Sequence, residues 1–156
     1  MVFSNLDQEN LMGLSKRTGD ACVGFNMRKT SRLLSKLYDQ AFKSVSLKGT
    51  QFSLLMAVAG NKDSTIGKLS KPLGMERSTL GRNAAILQKK GLIAIEEGED
   101  RRQQRIRITD SGISVLQKAL PLWQGVQESL ARELGEEKIK ILLEDLQSLS
   151  QLLKEK

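Results

Sequence analysis

The sequence predicts a mainly α-helical protein that carries one small β-hairpin, an α+β fold. Apolar residues recur at steps of three and four along most of the chain, which is the spacing of amphipathic helices. Only two short segments, residues 92–97 (LIAIEE) and 104–108 (QRIRI), alternate between apolar and polar residues as strands do. The 156 residues suffice for one hydrophobic core, so we expect a single domain over residues 1–156.

Composition excludes several classes of protein. With 39% hydrophobic and 28% charged residues the chain is globular, and no run approaches the roughly 18 apolar residues of a membrane span. The first residues, MVFSNLDQENLMGLSKR, lack the pattern of a secretory signal, so we expect a cytoplasmic protein without a membrane partner. One cysteine and no histidine leave no usual zinc site and no histidine-dependent nucleophile. We expect no metal, no other cofactor and no enzymatic activity, since a glycine-rich phosphate loop is also missing.

The net charge of +7 is distributed unevenly. Residues 15–90 carry 15 Lys/Arg against 4 Asp/Glu, whereas residues 109–156 carry 6 against 8. The basic part is either a solvated face or an electrostatic footprint for a polyanion. Aromatic residues make up only 4% of the chain, which disfavours a protein that stacks single-stranded bases on rings.

The first half of the chain predicts an arm followed by helices. Residues 1–19 are weakly periodic and indicate a short irregular or partly helical arm. Residues 20–45 have the apolar spacing of one long amphipathic helix. Thr50 is a suitable N-cap for the apolar run 51–59, which Gly60 and Asn61 end.

The segment that follows, STIGKLSKPLGMERSTLGRNAAILQKKGLI, predicts two short helices that meet at Gly74. Ile66, Leu69 and Leu73 share one side of the first helix, and Pro72 is expected to tighten or end it early. The second helix has an inner stripe of Leu80, Ala84 and Leu87 and closes at Gly91. This arrangement resembles a helix-turn-helix, whose second helix enters the major groove of DNA.

A hairpin directly after a helix-turn-helix is a wing. Its predicted inward face consists of Ile93, Ile95, Ile106 and Ile108. The turn GEDRRQ places Arg101 and Arg102 at the tip, where guanidinium groups can reach phosphates or the minor groove. Asp100 is expected to hold one of these arginines in position by a bidentate pair.

Two more helices are predicted after the cap at Thr109 and Asp110. The first is expected to bend at Pro121 and to end at Gly135. Its apolar side comprises Ile113, Leu116, Leu120, Trp123, Val126 and Leu130. In the last helix Leu142, Leu146, Leu149 and Leu153 form a stripe with helix-packing spacing. This stripe either packs on the chain's own core or forms a dimer interface with the helix at 20–45. We favour a homodimer, because paired DNA half-sites call for two-fold symmetry.

These elements and four strings resemble the MarR family of bacterial transcriptional regulators. The strings are TQFSLLMAV, LSKPLGMERSTLGRNAAILQKKGLI, GEDRRQQRIRIT followed by DSG, and ALPLWQGVQ, within about residues 22–130. The resemblance implies a winged helix-turn-helix homodimer on a pseudo-palindromic operator of double-stranded DNA. Residues 48–110 would form the DNA-binding lobe, and residues 20–45 and 111–156 the dimerisation helices.

The resemblance also implies the DNA contacts. Ser78, Thr79, Arg82 and Asn83 would begin the recognition helix in the groove, with Arg77 beside them, and Asp100, Arg101 and Arg102 would serve the wing. Ser78 and Thr79 can instead cap the helix or contact only phosphate. The family usually has aspartate where this chain has Glu76, a poorer cap, which leaves the exact start of the helix open. Lys71, Lys89 and Lys90 are interpreted as solvated.

Many members of that family bind phenolic or aryl-carboxylate ligands between the dimer helices and the DNA-binding lobe. The corresponding candidate lining for a small aromatic or phenolic effector is Phe25, Met27, Arg28, Tyr38, Phe52 and Met56. The alternative is that these aromatic and methionine side chains are ordinary core residues. Cys22 lies near the position of a reactive cysteine in relatives that sense hydroperoxides, but the partner tyrosines are reduced to Tyr38. We therefore interpret Cys22 as a structural thiol, with a redox switch as the alternative.

The sequence thus predicts a DNA-binding regulator, most simply a repressor that a small ligand releases. Three rival functions stay open: a redox sensor that uses Cys22, a winged helix that binds proteins rather than DNA, and a nonspecific DNA binder. The nonspecific binder would have equal affinity for every DNA sequence.

Overall fold

The computed structural model describes residues 8–61, 64–97 and 104–154. Within these ranges the chain forms seven α-helices and three strands, in the order α1 (Gln8–Ala21), α2 (Val23–Ala41), α3 (Gly49–Ala59), β1 (Ser64–Thr65), α4 (Ile66–Ser70), α5 (Arg77–Lys89), β2 (Ile93–Glu97), β3 (Gln104–Ile108), α6 (Asp110–Leu134) and α7 (Glu136–Lys154). The predicted class, mainly helical with a small hairpin, is confirmed. Among the described helices none is long and apolar enough to cross a membrane. The chain divides after Leu37 into two compact units.

The first unit contains α1 and the start of α2, with a break at Cys22. The predicted helix start at Asp20 is wrong, because α1 runs on to Ala21 and a new helix begins at Val23. The Asn26 side chain explains the break: its Nδ2 donates to the carbonyl oxygens of Gly19 and Cys22, both at 3.0 Å. A polar side chain thereby satisfies carbonyl groups at the end of α1.

The second unit is built around an aromatic and aliphatic core. Phe42 is fully buried and stacks on Tyr38 and Phe52, with ring centroids 6.0 Å and 4.7 Å away. Phe42–Val45 form a turn of 3₁₀ helix, so α2 ends at Ala41, earlier than the predicted Val45. The other fully buried apolar residues come from α3, α5, the sheet and α6: Leu54, Leu55, Leu80, Ala84, Leu87, Ile106 and Ala119.

The start of α3 differs from the prediction. Thr50 is not the N-cap, because the helix already begins at Gly49 and Lys48 is in the cap position. The Gly49 N–H donates to Oδ1 of Asp39 at 2.8 Å, and Gln51 Oε1 accepts from the Lys48 N–H at 3.2 Å. A carboxylate ten residues earlier in the chain thus satisfies a free amide of α3.

Helices α4 and α5 form the predicted helix-turn-helix. α4 ends at Ser70, two residues before Pro72, and Gly74 adopts a positive φ of 59° in the turn. On α5 the predicted stripe of Leu80, Ala84 and Leu87 is completely buried. Gly91, with φ of 71°, closes the segment as expected.

The two strands of the wing pair so that the predicted side chains face inward. Ile93 lies opposite Ile108 and Ile95 opposite Ile106, so the four isoleucines share the inward face of an antiparallel ladder. Ile93 and Ile106 are buried and the other two pack against the core. The sheet has a third strand, β1, on the other side of β3, giving the order β1, β3, β2. Two residues are too few to show an alternating pattern, and the sequence therefore did not reveal β1.

A set of close contacts joins the base of the wing to α6. Thr109 caps α6 by accepting the Gly112 N–H at 3.0 Å, and its hydroxyl donates to the Gly91 carbonyl at 2.6 Å. The Thr109 N–H donates to the Leu92 carbonyl at 3.1 Å. A Cβ at Gly112 would lie 2.1 Å from that carbonyl oxygen. Residues 91–93 (GLI) and residues 109–112 (TDSG) therefore contact each other at the base of the wing.

The apolar side of α6 is only partly covered. Of the residues on this side, Leu116 and Val126 are buried, whereas Ile113 is 44% exposed and Trp123 is 37% exposed. From the same helix, Ala119 also belongs to the core of the second unit. The helix continues through Pro121 and ends at Gly135, which has φ of 88°. α7 has no buried residue at all.

Candidate nucleic-acid interface

The outward face of α5 gathers the predicted groove-facing residues. Arg77, Ser78, Thr79 and Arg82 are exposed and Asn83 is half-buried. Arg82 donates from Nη2 to Thr79 Oγ1 at 3.4 Å, so the hydroxyl and the guanidinium lie side by side. The buried stripe on the opposite side of the helix determines which side of α5 faces the solvent. The structure therefore places Ser78, Thr79 and Arg82 on the exposed side of α5, with Arg77 in its first turn and Asn83 at the edge of that side. Arginine and asparagine groups are of the kind that read base edges.

The first turn of α5 has backbone amides that no side chain of the described residues caps. Glu76 is in the N-cap position, but its side chain makes no capping hydrogen bond. The first amides of an α-helix have no partner inside the helix, and here they belong to the exposed residues 77–79. Unpaired amides at the positive end of the helix dipole are suited to a phosphate oxygen.

Arg77 extends over the neighbouring helix. Its Nη2 lies 3.9 Å from the point where Gly67, in the first turn of α4, would carry a Cβ. Thr65 Oγ1 lies 4.0 Å from the same point and accepts the Lys68 N–H at 3.2 Å, capping α4. The basic surface of α5 is thus continuous with the start of α4.

The wing tip residues Asp100, Arg101 and Arg102 lie outside the described residues. The strands that lead to them carry two further arginines, Arg105 and Arg107, on the face opposite the isoleucines. Arg107 Nε is 3.3 Å from Glu96 Oε2, in a pair whose side chains are more than half exposed. The sequence alone predicts no role for these two arginines, although the alternation RIRI indicates that they share one face of the strand.

The lysines around the motif differ from one another. Lys71 and Lys89 are exposed, as expected for solvated side chains. Lys90 does not follow that interpretation: its Nζ donates to the Ser46 carbonyl and lies 3.4 Å from Gln51 Oε1. Lys90 therefore joins the end of α5 to the turn before α3, and the prediction of a merely solvated side chain is wrong.

The candidate effector residues fall in both units. In the first, Phe25 and Met27 are 43% and 41% exposed, and Arg28 is exposed. In the second, Phe52 is buried against Phe42, Tyr38 accepts a hydrogen bond from Gln127 Nε2, and Met56 is 38% exposed. An aromatic core explains Phe52 and much of Tyr38, while the effector pocket itself stays a prediction.

Cys22 occupies the junction between α1 and α2. Its sulfur accepts the Phe25 N–H at 3.4 Å, the contact that an N-cap residue makes with the third residue of its helix. The thiol thus has a structural role at the start of α2. Among the described residues no group of histidine, cysteine and carboxylate side chains could hold a metal ion.

Comparison with known proteins places the chain in a family. Residues 45–103, which span the helix-turn-helix and most of the wing, match the MarR family model. The M. tuberculosis transcriptional regulator MosR, solved in complex with DNA, is 34% identical, with 85% of this chain and 96% of that chain covered and a TM-score of 0.76. The chain belongs to the MarR family.

More distant solved structures share the fold. The transcriptional repressor CouR, bound to a 23-mer DNA duplex, is 21% identical over 94% of this chain and 99% of that one, with a TM-score of 0.76. CouR bound to p-coumaroyl-CoA aligns with a TM-score of 0.78 at 19% identity, over 85% of this chain and 94% of that one. No curated protein sequence matches the chain. The family membership confirms the predicted winged helix-turn-helix regulator.

Proposed function

We propose that this MarR-family protein is a homodimeric repressor that binds a pseudo-palindromic operator in double-stranded DNA. The observation that carries the proposal is the outward face of α5, where Ser78, Thr79 and Arg82 are exposed while the opposite stripe is completely buried. A helix held in this way presents fixed donors to a groove. MosR, the relative at 34% identity, is known in complex with DNA.

The proposed mechanism is geometric. Two recognition helices of a dimer would occupy successive major grooves about 34 Å apart, one helical turn of DNA. The free amides at the start of α5 and the arginines of the wing would contact phosphates and set the register. Arg82 and Asn83 would then read base edges. We place this activity in the cytoplasm.

Selection from a pool of random duplex DNA at physiological salt tests the proposal. The bound fraction is sequenced, and we expect an enriched inverted repeat with half-sites about one helical turn apart. Tight, salt-sensitive binding without enrichment would favour a nonspecific DNA binder. No binding to any duplex would favour a winged helix that recognises proteins.

We further propose that a small aromatic or phenolic effector releases the operator. CouR, a protein of the same fold, binds p-coumaroyl-CoA, and the candidate contacts here are Phe25, Met27, Arg28, Tyr38, Phe52 and Met56. A ligand shifts the equilibrium only if it binds the DNA-free and DNA-bound conformations unequally. Titration of the protein–operator complex with phenolic carboxylates and their thioesters should release DNA, and Arg28→Ala should weaken the response to carboxylates specifically.

A redox function of Cys22 is the alternative regulation, which the N-cap contact to Phe25 does not favour. Cys22→Ser keeps an acceptor at the start of α2, so we expect it to bind the operator as the wild type does. Addition of peroxide should leave both proteins unchanged. Release of the operator by peroxide in the wild type but not in Cys22→Ser would establish the sensor instead.

A further inference from the structure

The outer face of the wing sheet is connected to the recognition helix by a line of polar and basic residues. Thr65 and Arg105 are paired directly across the β1–β3 ladder, an arrangement that places their Cβ atoms about 5 Å apart on one face. Thr65 Oγ1 and Arg77 Nη2 each lie within 4.0 Å of the same point above Gly67. Arg77 on α5 and Arg105 on β3 therefore flank the start of α4.

If the proposed DNA-binding function holds, the positions of Arg77 and Arg105 determine which part of the bound DNA they can contact. The recognition helix is placed in a major groove and the wing tip in the adjacent minor groove. One sugar-phosphate backbone separates those two grooves, so it must pass between α5 and the wing tip. Arg77 is the first residue of α5, and Arg105 lies on strand β3, which follows the wing turn in the chain.

We propose that Arg105 is a phosphate-binding residue that, together with Arg77, holds the DNA backbone between the major-groove helix and the minor-groove wing. Guanidinium groups form paired, charge-assisted hydrogen bonds with phosphate oxygens. Such contacts fix the register of the protein on the duplex and carry no base information. Arg105 thus adds affinity for every DNA sequence alike.

Arg107 is the natural comparison within the same strand. It lies two residues further along β3, on the same face as Arg105 and further from the wing tip. Its guanidinium is already paired with Glu96 at 3.3 Å. Glu96 lies directly across the β2–β3 ladder from Arg105, but its carboxylate makes its ion pair with Arg107. Because that pair offsets the charge of Arg107 more closely than that of Arg105, we expect Arg107 to contribute less to phosphate binding.

The test is the salt dependence of DNA binding by the full chain. Affinity for a duplex with the selected repeat, and for a scrambled duplex of equal composition, is measured by fluorescence anisotropy at several salt concentrations. Each phosphate contact contributes about 0.9 to the slope of log affinity against log salt. Arg105→Gln removes one contact in each subunit, so the slope should fall by about 2, with affinity reduced by the same factor for both duplexes. Arg77→Gln should behave in the same way.

Arg107→Gln is the matched control, since it removes the same charge from the same face and should change the slope by much less. An unchanged slope in Arg105→Gln, or an equal decrease in Arg107→Gln, overturns the inference while the DNA-binding function stands. Absence of DNA binding by the wild-type protein overturns both. We expect the circular dichroism spectra and thermal midpoints of the variants to equal those of the wild type. A difference in either would identify a variant that loses binding because it fails to fold.

Discussion

Gly112 has no space for a side chain. A Cβ there would lie 2.1 Å from the Leu92 carbonyl oxygen and 2.7 Å from Ile108 Cγ1. The backbone at the base of the wing would have to shift, and the hydrogen bonds around Thr109 would weaken with it. Overpacking of this kind costs about 2 to 3 kcal/mol. We therefore expect Gly112→Ala to lower the free energy of unfolding by that amount in urea denaturation.

Gly125→Ala is the control for that substitution. Gly125 lies in the same helix, and nothing is within 4 Å of the Cβ position. Alanine there should raise the free energy of unfolding by about 0.5 to 1 kcal/mol, because alanine is the better helix former. Equal effects of the two alanines would show that helix propensity, and not the contact with Leu92, decides the outcome.

Arg82 is the side chain we expect to read a base. It is exposed on α5 and lies beside Thr79 at 3.4 Å, where a guanidinium can reach the O6 and N7 atoms of guanine. Arg82→Ala should reduce discrimination at one base pair of each half-site by about 1 to 3 kcal/mol. Competition between the selected operator and single-base variants measures this preference. Lys89→Ala, two turns further along the helix, removes a solvated lysine and should leave the preference among bases unchanged.

At the scale of elements, Asp39 determines where α3 starts. Its carboxylate accepts the Gly49 N–H at 2.8 Å, and Asp39→Ala should cost about 1 kcal/mol of unfolding free energy. Thr50 is exposed and is the second residue of α3, so Thr50→Ala should change stability by only a few tenths of a kcal/mol. Thermal or urea denaturation of Asp39→Ala and Thr50→Ala shows which of the two residues stabilises the start of α3. A larger loss of stability in Thr50→Ala would contradict the role of Asp39.

The elements that were predicted correctly are those whose signal is local. Leu80, Ala84 and Leu87 show the helical period within one segment, and the four isoleucines of the wing show the strand period. The Asp39 cap and the Lys90 contact join residues that are distant in the chain, which no local pattern encodes. Strand β1 has only two residues, and its partner β3 lies 40 residues away. The role we propose for Arg105 also depends on that pairing, and sequence reasoning could not find it.

At the scale of the whole molecule, α7 has an apolar surface that we expect a second protein chain to cover. Leu142 and Leu153 are 47% and 61% exposed, Leu146 and Leu149 are half-buried, and no residue of the helix is buried. Monomeric proteins rarely leave a long apolar stripe in water, and identical chains most often cover one by two-fold pairing. We therefore expect this stripe to form part of the proposed dimer interface.

Replacement of Leu146 and Leu149 by glutamate tests that expectation, because four buried charges in the dimer would far outweigh the gain from apolar contact. Sedimentation velocity should show a monomer, and operator affinity should fall steeply, since one half-site provides only half of the contacts. Gln151→Glu, on the opposite side of α7, adds the same type of charge and should remain dimeric. A dimer that survives the double substitution would mean that other helices hold the two subunits together, and the leucine stripe would then need a different partner.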